Sequence, residues 1–96
     1  MPRVAKLMAL AIRFDQLLRD GVVADQAELA RLGYVSPARL SQVMALLQLA
    51  PEIQEEILFL PPTERGPDPV TERDLRPIAA VADWGKQRKL WRELVA

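Results

Sequence analysis

Ser36, Ala38, Arg39, Ser41 and Gln42 fall within one short stretch, and helical spacing sets most of them on a single side of a helix opened by Ser36-Pro37. Hydroxyl, methyl, amide and guanidinium groups form the set that reads base edges in a DNA major groove. An amide makes a two-bond pair with adenine, a hydroxyl donates or accepts, and a methyl meets thymine while allowing close approach. Arg39 is placed to reach a phosphate or a guanine edge. Gln26 and Arg31, one helix earlier, are placed for the sugar-phosphate backbone, and the positive end of the later helix adds attraction for a phosphate. A second cationic group, Lys86, Arg88 and Lys89, lies between Trp84 and Trp91. Three readings fit it: a further backbone contact, a helix that pairs two copies of the chain, or a solvated face over indoles that complete the core.

Other chemistry is poorly provided for. The 96 residues include no Cys and no His, which excludes a Cys/His zinc site, a thiol nucleophile, a Ser-His-Asp triad and a disulfide framework. Tyr34 as a nucleophile lacks the surrounding His that such chemistry uses. Glu52, Glu55 and Glu56 occupy about one helical turn with no oxygen-rich loop, so they read as acids near a helix N-terminus more than as metal ligands. Asp68 and Glu72 flank a proline-containing loop without strand context, and no Gly-rich phosphate loop exists. No cofactor and no small-molecule substrate is expected. The apolar run Leu7 to Ile12 is too short for a membrane span and lacks a small-residue cleavage site, so no membrane partner is expected and the location expected is cytoplasmic, with the nucleoid.

Charge sums to zero, from 13 basic and 13 acidic residues, but unevenly. Residues 1–50 carry six basic and four acidic side chains, residues 51–72 carry one and six, and residues 73–96 carry six and three. Contact with phosphates must therefore be local, with a moderate dependence on salt.

The elements that must position these residues are helices. Apolar residues recur at helical spacing and nowhere alternate over strand length, which predicts one small all-α domain of five or six helices. A chain of this length buries roughly 60 to 65% of its unfolded surface, enough for one modest core. The first helix runs from about Arg3 to Arg19, with Val4, Leu7, Met8, Ala11, Phe14 and Leu18 inward and Asp20-Gly21 as its stop. Asp25 with Glu28 opens a second, which ends at Leu32-Gly33. Ser36-Pro37 opens the third, with Leu40, Val43, Met44 and Leu47 inward and Ala38, Ser41, Gln42 and Ala45 outward. The fourth spans Glu52 to Leu60 after Pro51, and a proline-rich connection follows over 61–70. Thr71 with Asp74 restarts the helical pattern, Pro77 kinks or restarts it again, and Asp83 caps a last helix from Trp84 to Val95. In that last helix Trp84, Gln87, Trp91 and Leu94 share a face. Within about residues 25–49 this arrangement matches a helix-turn-helix: the small Ala30 lets two helices cross closely, Gly33 permits the tight turn, Val35 plugs the corner, and Leu40 and Val43 anchor the second helix.

On these residues the segment resembles the central DNA-binding part of the ParB/KorB partition-protein superfamily. Leu29-Ala30, Gly33, Val35-Ser36, Leu40 and Ser41-Gln42 carry the likeness, continued by Leu46-Leu47-Gln48-Leu49-Ala50-Pro51-Glu52-Ile53-Gln54. It covers about residues 24–60 well and the helices after Thr71 more loosely. The resemblance implies sequence-specific binding of double-stranded DNA through the recognition-helix positions Ser36 to Gln42. Two departures stand out. The turn glycine falls one place early, with Tyr34 where the family more often has Gly. The domain that binds and hydrolyses CTP in that family has no counterpart in these residues, so nucleotide hydrolysis is not carried over. The phrases Gln54 to Leu60 and Glu72 to Ile78 also resemble segments associated with bacterial mobile-element recombinases.

The expectation is a non-enzymatic DNA binder acting as a regulator or as a recombination or partition accessory. One recognition helix covers about four or five base pairs, too few to define a genomic site, so a homodimer or a larger assembly is expected. The alternative is a protein-interaction adaptor that uses the acidic fourth helix or the Trp-bearing last helix.

Overall fold

Six α-helices and one 3₁₀ turn make up the regular structure in a computed structural model that describes residues 2–62 and 66–96. Every regular element among the described residues is helical, so the fold is all-α. Residues 63–65 of the expected connection lie outside the described residues.

Helix α1, Arg3–Arg19, serves two cores at once. It ends where Gly21 takes a left-handed φ of +72°, a conformation open to glycine without a Cβ penalty. Phe14, Leu17 and Leu18 from its last turns pack with Val23, with Leu29 and Ala30 of α2 (Gln26–Leu32), and with Leu40 of α3 (Pro37–Met44). Val4, Met8 and Ala11 from its first turns join the larger core, with Val43, Leu46, Ile53 and Ile57 among their neighbours. Each fully buried Leu or Ile in these clusters contributes roughly 1.5–3 kcal/mol of apolar burial.

The caps follow the local chemistry. The Asp25 carboxylate accepts the Glu28 N–H at 2.8 Å, and the Glu28 carboxylate reaches back to the Ala24 N–H at 3.1 Å. The Ser36 hydroxyl accepts the Arg39 N–H at 3.0 Å, with Pro37 in the first turn where its missing donor is no loss.

Two boundaries differ from the spacing. α3 gives way to a 3₁₀ turn, Ala45–Gln48, because Pro51 drives Ala50 to an extended ψ of 143° and the chain must turn to meet it. The Gln54 amide then donates to the carbonyls of Leu49 at 2.9 Å and Leu47 at 3.2 Å, groups that no helix serves. α4 spans Pro51–Leu58, stopping short of Leu60.

α5, Glu72–Ala79, opens with a reciprocal Thr71–Asp74 capping box and carries Pro77 within it, so the proline neither ends nor restarts the helix. Arg73, whose carbonyl that proline cannot serve, is exposed. α6, Trp84–Val95, divides its two indoles: Trp91 is 3% exposed and in the core, whereas Trp84 is 48% exposed, so only one of them completes the core. The reason lies in position. Trp84 is the first residue of α6, beyond the part of the face that α4 and α5 cover.

Gln87, on the same face, is the buried polar side chain among the described residues. Its Oε1 accepts the Ala50 N–H at 2.7 Å, and its amide donates to the Gln48 carbonyl at 3.0 Å and the Val81 carbonyl at 2.8 Å. The side chain therefore ties α6 to the turn that precedes α4. No helix among the described residues is long and apolar enough to cross a membrane.

Candidate nucleic-acid interface

α2 and α3 are joined by the turn Gly33 to Ser36. The Val35 N–H bonds to the Ala30 carbonyl at 3.1 Å, which draws the Val35 side chain in as a half-buried plug. The left-handed residue of this turn is not Gly33, whose φ is −85°, but Tyr34, with φ at +55°. The expected role of Gly33 is thereby corrected: its value is space, since a Cβ there would stand 3.3 Å from the Leu29 carbonyl oxygen. Tyr34 is 96% exposed. A non-glycine residue in this region carries roughly 1–2 kcal/mol of strain.

Leu40 and Val43 are buried, and Ser36, Ala38, Ser41 and Gln42 are exposed, so the expected inward and outward sides of α3 are the observed ones. Gln26 and Arg31 are exposed on α2. Ser36 has one lone pair committed to the Arg39 N–H, and its O–H remains a donor.

Arg39 does not stand free. Its guanidinium makes a two-bond pair with the Glu72 carboxylate of α5, at 2.7 and 3.0 Å, and Arg76 bonds the same carboxylate at 2.9 Å. Hydrogen bonds from Arg39 hold the Glu72 carboxyl below its ordinary range, against the opposing pull of partial burial; Arg76 adds to the lowering. The same bond from Glu72 raises Arg39. The Gln42 Oε1 accepts from Arg39 at 3.2 Å and from Arg76 at 3.4 Å. Guanidinium groups only donate, so the Gln42 oxygen must face them, and its NH₂ is left as the outward-facing donor.

The basic residues of α6 are arranged otherwise. Lys86 and Lys89 are exposed, and Arg88 is paired with Glu52 of α4. The Glu52 carboxyl is held low by its own backbone N–H and by Arg88. Glu56 accepts the Trp91 indole N–H. Among the described residues, no side chain of α6 bonds to α3.

Glu72 and Arg76 are the site residues the sequence did not disclose. Their spacing of four is visible, but nothing local points either of them at Arg39, 33 residues before Glu72. No protein-family description, curated protein or solved structure matches the chain.

Proposed function

We propose that the chain binds double-stranded DNA sequence-specifically, with α2 and α3 acting as a helix-turn-helix and with no enzymatic activity. The observation that carries this reading is the outward side of α3. Ser36, Ala38, Ser41 and Gln42 are exposed there opposite the buried Leu40 and Val43, and ion pairs to α5 hold the flank in place. Ala38 admits close approach and offers a methyl contact. Ser36 and Ser41 donate, and Gln42 as held presents its NH₂ to an acceptor such as purine N7 or guanine O6. A bidentate pair with adenine would require Gln42 to give up its bonds to the two arginines. Arg39 is a positioning group in this arrangement, and Gln26 and Arg31 hold the backbone beside α2. A role as a bacterial or mobile-element regulator or accessory protein, probed as a homodimer on a two-fold site, fits the small footprint of one recognition helix.

The test is selection of bound duplexes from a random-sequence pool by the pure protein, followed by Gln42→Ala and Ser41→Ala on the recovered duplex. A motif is expected, and Gln42→Ala weakens binding about tenfold or more with helicity unchanged. Recovery of no motif at low salt refutes the reading.

A protein-interaction adaptor is the second reading, favoured by the half-exposed Trp84 and the exposed Phe59. The acidic helix offers it less, since Glu52 and Glu56 are already engaged by α6.

A further inference from the structure

A groove runs between the first turns of α1 and the start of α5, and its wall includes Arg39 of α3. Five cations line it, Arg3, Lys6, Arg39, Arg73 and Arg76, against two carboxylates, Asp68 and Glu72. Glu72 is consumed by Arg39 and Arg76. Asp68 accepts the backbone N–H of Arg3 at 3.3 Å. Arg3, Lys6 and Arg73 enter no ion pair among the described residues, and all three side chains are exposed.

The groove also has a fixed relation to the outward side of α3. Helical spacing puts Arg39 and Gln42 on one flank of that side, and both bond to α5. Met44 marks the opposite flank, packed in the cluster that holds Leu29 and Ala30 of α2. The exposed strip Ala38, Ser41, Gln42 therefore has α2, the helix that carries Gln26 and Arg31, on one flank and α5, the helix that carries Arg73 and Arg76, on the other. A major groove is likewise bordered by two phosphate strands.

We infer that the Arg3, Lys6, Arg73 groove receives the sugar-phosphate backbone of the strand that borders α3 on its α5 side. It does so in place of the α6 cations, whose Arg88 is tied to Glu52 and none of which lines the groove that Arg39 of α3 walls. This rests on the DNA-binding reading and adds which surface supplies its electrostatic part. Phosphate contacts position without reading sequence, so the groove sets affinity and salt dependence and leaves base preference to α3.

The test compares the full chain with Lys6→Ala/Arg73→Ala and with Lys86→Ala/Lys89→Ala, using the selected duplex and a mixed-sequence duplex over a range of salt concentrations. Circular dichroism establishes that each variant is folded. The groove variant is expected to flatten the slope of log affinity against log salt by about 1.8, and to weaken binding to both duplexes roughly sixtyfold at 0.1 M salt. Its preference for the selected duplex stays unchanged, and the α6 variant behaves as wild type. An unchanged slope in the groove variant, or a flattened one in the α6 variant, overturns the inference while the Gln42→Ala result still stands for α3. Failure of the unsubstituted chain to bind either duplex at low salt overturns both.

Discussion

Gln87→Leu isolates the contribution of the clasp between α6 and the turn before α4, because it keeps most of the side-chain volume and removes all three hydrogen bonds. Gln87 has no exposed surface, and Ala50, whose N–H it accepts, has none either. That N–H is left buried without a partner, at about 1–3 kcal/mol. Gln48 is exposed and Val81 half-buried, so water replaces the amide at their carbonyls and the loss there is about 0.5–1 kcal/mol each. The added apolar carbon of leucine offsets about 1 kcal/mol. The net destabilisation is about 2.5 kcal/mol, which for a domain of this size lowers Tm by about 10–20 °C. Thermal and urea unfolding followed by far-ultraviolet circular dichroism measures it, provided that the transition is two-state. Gln87→Glu sharpens the test. Its carboxylate still accepts from Ala50 but faces two carbonyl oxygens in a buried site, which raises its pKa in the folded state. The stability of this variant relative to wild type is therefore greatest below the unfolded glutamate pKa near ~4.3, and falls as pH rises above it. A Gln87→Leu protein within about 0.5 kcal/mol of wild type, or a Gln87→Glu protein indifferent to pH, would falsify the clasp.

Two further substitutions probe the interface itself. Tyr34→Gly removes the left-handed strain at a residue with almost no packing to lose, while glycine's looser unfolded state offsets part of the gain; a stabilisation of up to about 1 kcal/mol is expected in urea unfolding, and a loss of stability would show that the ring is held by contacts. Glu72→Gln removes the anchor of Arg39 and Arg76 and lowers stability by about 1 kcal/mol near neutral pH, the modest size reflecting the partial exposure of the pair. Because the folded-state pKa of Glu72 is lowered, its stabilisation is present above the unfolded pKa and disappears as pH falls through the folded value. The Tm difference between wild type and Glu72→Gln should therefore close in acid, and a gap that persists there counts against the ion pair as its source.

Most helix starts and stops were legible because they are local. Asp25, Ser36 and Thr71 each cap the helix that follows through the residue three places on, and Gly21 ends α1 at the expected place. The two sides of α3 were legible for a related reason: a period of 3.6 residues separates Leu40 and Val43 from Ala38, Ser41 and Gln42 before any partner helix is known. Short-range signals failed at the turn and at the last helix. Gly33 is the residue with conformational freedom, yet the hydrogen bond from Val35 to Ala30 places the left-handed residue at Tyr34. Trp84 and Trp91 share a helix face, but only Trp91 reaches the depth that α4 and α5 cover.

The sequence by itself thus determined an all-helical chain, the ends of most of its helices, and which side of α3 is turned outward. Each of these depends on groups within about one helical turn of one another. Only the tertiary structure decided what those outward groups are free to do. Arg39 is bound to Glu72 across 33 residues, Gln42 presents its NH₂ because two guanidiniums occupy its oxygen, and Gln87 is a buried clasp across 37 residues. The physical reason is that a donor or acceptor commits to whichever partner the folded chain brings within about 3 Å, and for each of these three at least one partner arrives from 33 or more residues away in the chain.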